Sequence, residues 1–235
     1  VAQEDELKPA KAMQLSIENT QLDNADTFIN FATDSKETVG SISGQHATVL
    51  GIAQTGVKLE SAGADYAEYL EKKDHSEVIE KADVVGVYNG KISKNTQNAD
   101  RIMVVSTMPL VIGNKQTSQT ASYSEAVAFV GQVPVRVIGS VNVGDYVIAS
   151  SKHDGTAVGI NPKDITASQL KLIIGKAWSA ISQAATSEAL VNVAITPLDL
   201  PAELLQSIQD RQSRLEAENK ELRKMIEAIQ VQLAN

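Results

Sequence analysis

The chain has 235 residues, a formal net charge of -8 at pH 7, 43% hydrophobic but only 4% aromatic residues, and no cysteine. That length suits one large domain or two small ones, and the negative charge argues against nucleic acid as the main partner, since phosphate binding needs a basic footprint. The missing cysteines exclude disulfides, thiolate metal sites and cysteine nucleophiles, and no apolar run approaches the ~18 residues of a membrane span, so no membrane insertion is expected.

A core in this chain must come from Val, Ile, Leu and Ala, which favours many short strands. The acidity is uneven, with nine Asp/Glu against four Lys in residues 1–60. The chain opens on Val1 without a signal-peptide pattern, which reads as a fragment or as a product trimmed at its start.

Residues 1–12 are polar and charged and read as a lead-in with little to bury. Met13, Leu15 and Ile17 then alternate with polar residues, the period-two pattern of a half-buried strand. Further short strands are predicted at Thr27–Ala32, Thr38–Ile42, Thr48–Ile52 and Val57–Leu59, separated by turns at Asp34-Ser35, Ser43-Gly44 and Thr55-Gly56. So few large apolar residues make a weak core for one chain. Three copies about a common axis would bury them better; a small stand-alone sandwich is the alternative.

The middle region is denser in strands. Val84–Tyr88 runs into Asn89-Gly90, a two-residue hairpin signal, and Lys91–Ser93 returns. Ile102–Ser106, Ala126–Val130, Val133–Ile138, Tyr146–Ala149, Leu170–Ile174 and Val191–Ile195 are apolar runs of strand length. Gly144-Asp145 reads as a tight turn after Val141–Val143, and Lys152–Gly155 as a hairpin tip. Trp178, the single tryptophan, reads as a core anchor. A compact, barrel-like β domain is expected.

Pro197 and Pro201 break the sheet region, and a helix starts at Asp199 or Pro201. Ile208, Leu215, Leu222 and Ile229 are spaced by seven, and Leu205, Gln212, Asn219, Ile226 and Leu233 fill the companion positions. Seven of these nine seam residues are apolar over four heptads, which predicts self-association through a coiled coil. Gln212 and Asn219 would set register and strand number, but the heptads leave open whether two or three helices meet.

Asp65 and Glu68 lie three residues apart, a spacing that on a helical turn puts both carboxylates on one face. Close carboxylates do not both ionise readily, so one keeps its proton and can serve as acid beside a base. Spacing alone favours a plainer reading, an acidic helix start. His46, His75 and His153 lack the spacing of metal ligands, and no metal or cofactor is expected. Ser150–Asp154 contains the letters of a triad without triad geometry. Asp100-Arg101 reads as an internal ion pair.

Gly63–Leu70, with Asp83–Val87, Asn98–Ser106, Pro109–Asn114 and Val127–Val135 following in order, resembles the intramolecular-chaperone auto-processing domain at the C-terminus of phage neck-appendage and tail-spike proteins and related bacterial surface proteins. The likeness covers roughly residues 60 to 195, and Asp65-Tyr66-Ala67-Glu68 is its most specific part. It implies a trimeric β-rich module that guides assembly of the fibre ahead of it. In processing members the chain cuts itself before the motif's Asp. Carried over, the cleavage site is Ala64–Asp65 and the catalytic carboxylates are Asp65 and Glu68. Ala64 departs from the processed pattern, which carries Ser there, so both a cut and an uncut junction stay open.

The resulting expectation is a mainly β, intertwined homotrimer: a fibre-shaft end at 1–60, a chaperone-like β domain at 61–196 and a trimerising coiled coil at 197–235. It would sit on a virion tail or appendage, or on an extracellular surface. A non-cleaved fibre-tip adhesin that binds a host or surface receptor is the alternative.

Overall fold

The computed structural model describes residues 26–166, 168–182, 187–196 and 202–233. The lead-in, the Met13–Ile17 strand and the Pro197, Asp199 and Pro201 break lie outside the described residues. The chain divides into two compact units, Val1–Gly63 and Ala64–Asn235.

In the first unit, β1 (Thr27–Ala32), β2 (Thr38–Val49) and β3 (Ile52–Ser61) form an antiparallel three-stranded sheet in that order. The turns expected at Ser43-Gly44 and Thr55-Gly56 are not turns. Gly44 pairs with Val57 and Gln45 with Gly56 in the middle of a long hairpin. The chain reverses instead at Leu50-Gly51, both left-handed with φ of 51° and 79°. A two-residue turn of this hand matches strand twist, and the unbroken ladder from Val49–Ile52 to Gly40–Ser61 outweighs the turn propensity of the interior glycines.

Cross-strand pairing puts Ile29, Phe31, Ile42, Val57 and Leu59 on one side of this sheet. Phe31, Val57 and Leu59 are each about half exposed or more. The first unit by itself therefore leaves apolar surface in water.

The second unit holds ten strands in one sheet: β4 (Asp65–Lys72), β5 (Val84–Tyr88), β6 (Lys91–Ser93), β7 (Arg101–Val105), β8 (Val111–Gly113), β9 (Ser124–Ile138), β10 (Tyr146–Ala149), β11 (Ala157–Ile160), β12 (Ile173–Ala177) and β13 (Glu188–Ile195). Strands β9, β11, β10, β12 and β13 close into a five-stranded barrel. Strands β4, β6, β5, β7 and β9 close a second ring of five. The two rings share β9, which was expected as two strands. It stays continuous because its first half pairs with β4 and β7 and its second half with β13.

The core is almost entirely β-branched and small. Val104, Val133, Val135, Val147, Val191 and Val193 are fully buried in the larger cluster, and Val85, Ile92 and Val127 in the smaller. Valine suits this role because its branched side chain packs well on a pleated surface.

The predicted hairpin at Asn89-Gly90 is present, with φ of 50° and 83°. Gly144 turns the chain into β10, although Val141 makes only an isolated bridge to Ile181. Trp178 is 56% exposed and is not a core anchor, since it sits just past the end of β12. Residues 170–172 form a turn of 3-10 helix rather than strand. Asp100 accepts the Asn89 N–H at 2.8 Å, capping the hairpin, and among the described residues it makes no ion pair with Arg101.

The C-terminal element is a single helix, α1 (Ala202–Leu233), of 32 residues. Leu215, Leu222 and Ile226 are each about half exposed, and Asn219 is exposed. The side chains of Leu205, Ile208, Gln212, Ile229 and Leu233 lie outside the described residues. Among the described residues no helix is long and apolar enough to cross a membrane.

Candidate functional site

Asp65 opens β4, so the helical turn considered for Asp65 and Glu68 is a strand. Tyr66 and Tyr69 favour extended backbone, and β4 pairs with β9 on one side and with β8 and then β6 on the other. The correction decides the geometry of the carboxylate pair. Side chains three apart on a strand point to opposite faces. Asp65 and Ala67 are buried, whereas Tyr66 and Glu68 lie half-buried on the other side. There Glu68 accepts a 2.6 Å hydrogen bond from the Tyr66 hydroxyl, which holds that hydroxyl above its ordinary pKa. Within one chain, Asp65 and Glu68 are not brought together.

Asp65 stands at the site without that partner. Its side chain is 4% exposed. Burial pushes its carboxyl above the usual range, while the Ser106 hydroxyl and Asp65's own backbone N–H pull it back only in part. Neither Asp65 Oδ2 nor Ser106 Oγ has a hydrogen-bond partner among the described residues.

The peptide bond before Asp65 is held just as closely. The Ala64 carbonyl oxygen accepts the Gln132 N–H at 3.2 Å, and the Asp65 carbonyl accepts the Leu110 N–H at 2.8 Å. Opposite lies Gly131, with φ of 120°. A Cβ there would run into the Ala64 carbonyl oxygen and come within 2.7 Å of Asp65 Cα. Only glycine lets β9 approach this closely with that backbone. One step along, Tyr66 faces Val130 while Ala67 faces Ala128, so Phe129 is a bulge residue beside the site. Ala64 itself is exposed.

No protein-family model and no curated protein matches the chain. One solved structure is similar, the crystal structure of the pre-mature bacteriophage phi29 gene product 12, at 14% identity and a TM-score of 0.38. The match covers 68% of this chain and 25% of that one, so the chain spans about a quarter of its length. The chemistry rests on the geometry around Ala64–Asp65.

The remaining candidates resolve into local structure. His75 stacks on Tyr123 at 4.1 Å between centroids and bonds Glu71 at 2.7 Å. His153 Nδ1 accepts the Thr96 N–H at 3.1 Å, and the Ser150 hydroxyl donates to Asp154 within the β10–β11 turn. Among the described residues no three His, Asp or Glu groups could hold a metal ion.

A separate cavity of about 350 Å³ is lined by Arg101, Tyr146, Leu170, Lys176, Trp178 and Thr196, among others. Ser106, Gly131 and Gln132 were not singled out from the sequence. The one available signal was a polar residue ending the apolar run Ile102–Val105.

Proposed function

We propose that the chain is the C-terminal assembly module of a homotrimeric fibre, a phage tail fibre or spike or a related surface appendage, and that it cuts itself once at Ala64–Asp65. The observation that carries the cleavage reading is an exposed residue followed by a buried acid, with the carbonyl between them held by a backbone N–H.

The Gln132 N–H polarises the Ala64 carbonyl and supports the oxyanion that forms on attack. Neutral Asp65 gives its proton to its own amide nitrogen as that nitrogen departs. Water supplies the new C–O bond, and its proton returns to the Asp65 carboxylate. One water is consumed, leaving a carboxyl on Ala64 and an amine on Asp65. Asp65 is given the proton transfer alone, because β4 turns Glu68 to the other face.

Assembly is supported by the apolar face of the first unit's sheet and by the exposed heptad residues of α1. Three joined helices raise the local concentration of the strands ahead of them, so weak shaft strands pair from a fixed register.

The test is incubation of the purified full chain, followed by intact mass and a denaturing gel. Fragments 1–64 and 65–235 are expected, none in Asp65→Ala, and continued cutting in Glu68→Ala. An intact wild-type chain sinks the cleavage reading, and loss of cutting in Glu68→Ala sinks the single-acid account. A second reading, an uncut tip that binds a surface ligand, is favoured by the cavity beside exposed Trp178 with Arg101 and Lys176 on its wall. Uncut chains that bind an anionic saccharide, with loss on Trp178→Ala, would support it.

A further inference from the structure

We infer that the groove between the 96–98 loop, the β10–β11 tip and the 3-10 turn at Leu170–Leu172 is an oxyanion site, taking a sulfate or the carboxylate of an acidic sugar. It stands apart from Ala64–Asp65 and does not depend on cleavage.

The groove has a volume of about 430 Å³ and is walled by Thr96, Gln97, Asn98, Ser151, His153 and Lys171, among others. That volume is in the range of small-ligand sites. No carboxylate is on its wall, in a chain of net charge -8. The acids nearest in sequence are engaged elsewhere. Asp154 accepts from the Ser150 and Thr156 hydroxyls, and Asp100 accepts the Asn89 N–H.

The wall is fixed within the chain itself. Gly86 of β5 admits the loop, since a Cβ there would come within 2.5 Å of the Asn95 carbonyl oxygen and 2.8 Å of Ala99 Cβ. The Tyr88 hydroxyl holds the Asn95 and Gln97 carbonyl oxygens at 2.7 and 2.8 Å. His153 ties the β10–β11 tip to the same loop, its Nδ1 accepting the N–H of buried Thr96. An accepting Nδ1 puts the proton of the neutral imidazole on Nε2. That Nε2, the Lys171 ammonium and the Gln97 and Asn98 amides have no partner among the described residues.

Ammonium, imidazole N–H and amide N–H are all donors, and an oxyanion is their natural acceptor. A sugar acid adds hydroxyls, to which the two amides can both donate and accept. The groove adjoins the Trp178 cavity, because the segments 97–102 and 170–172 contribute to both.

The experiment is calorimetric titration of the full chain with sulfate, glucuronate and neutral glucose at low ionic strength, where charge is least screened. Sulfate and glucuronate are expected to bind and glucose to fail. Tighter binding of glucuronate assigns the sugar acid as ligand, and equal binding assigns the free anion. Lys171→Ala and His153→Asn should each weaken sulfate about tenfold, on the scale of one hydrogen bond to a charged group. Asparagine suits the left-handed backbone at residue 153, where φ is 61°, and its Oδ1 can accept the Thr96 N–H. Circular dichroism should therefore stay unchanged in His153→Asn, with only the Nε2 donor lost. Lys171→Arg and Trp178→Ala should keep sulfate binding. No binding of either anion, equal binding of glucose, or wild-type affinity in both Lys171→Ala and His153→Asn overturns the inference. Sulfate binding lost in Trp178→Ala but kept in Lys171→Ala also overturns it, by placing the anion in the neighbouring cavity.

Discussion

Asp65 is a buried acid with no salt-bridge partner among the described residues, and that has a consequence for stability apart from any chemistry. Its carboxyl binds its proton more tightly folded than unfolded, because burial raises its pKa. From the unfolded value of about 3.9 upward, Asp65 therefore holds its proton more in the folded chain than in the unfolded one, and its contribution to stability falls as pH rises through the folded value. Asp65→Asn has nothing to ionise. Urea midpoints measured on intact chains should fall for wild type relative to Asp65→Asn between pH 4 and 7, leaving the variant more stable at pH 7. Asp83, also raised by burial, is present in both and cancels in the difference. Parallel pH curves would show that Asp65 is solvated in the folded chain.

At the scale of elements, the hairpins, the long helix and most strands were legible because each carries a local signal. Val84–Tyr88 with Asn89-Gly90 is such a case, where apolar run and turn chemistry agree. The helical turn considered for Asp65 and Glu68 from their spacing is a strand for the converse reason. Asp-Tyr-Ala-Glu has no decisive local preference, and β4 is extended because β8 and β9 flank it. Residues 126–138 looked like two strands because Gly131-Gln132 interrupts the apolar run, yet the backbone passes through and exchanges neighbours there. For α1 the heptad spacing makes a firm prediction. Leu215→Asp with Leu222→Asp should convert an oligomer to a monomer by light scattering, because charges in a coiled-coil seam are buried on association. An unchanged oligomer would mean that the helix does not join the chains.

At the scale of the whole second unit, β9 belongs to both rings, so the rings are expected to unfold together. Ile92 is fully buried in the smaller cluster, while Trp178 follows β12 of the barrel. Ile92→Ala should cost about 2–5 kcal/mol through lost burial and the cavity it leaves. The Trp178 fluorescence midpoint in denaturant should drop with that of circular dichroism. A Trp178 transition that stays put would show two independent cores.

The amino-acid order by itself determined a Val-rich β protein with a heptad-bearing tail and pointed to Asp65, because period, turn chemistry and motif are local properties of the chain. It did not determine which groups meet Asp65. Gly131 and Gln132 are 66 and 67 residues further along, and their local signal is only a break in the apolar run of β9. Only the pairing of β4 with β9 brings Gly131 against Asp65 and a backbone N–H to the Ala64 carbonyl. The same pairing turns Glu68 away, because a strand alternates its faces where a helix would have aligned them.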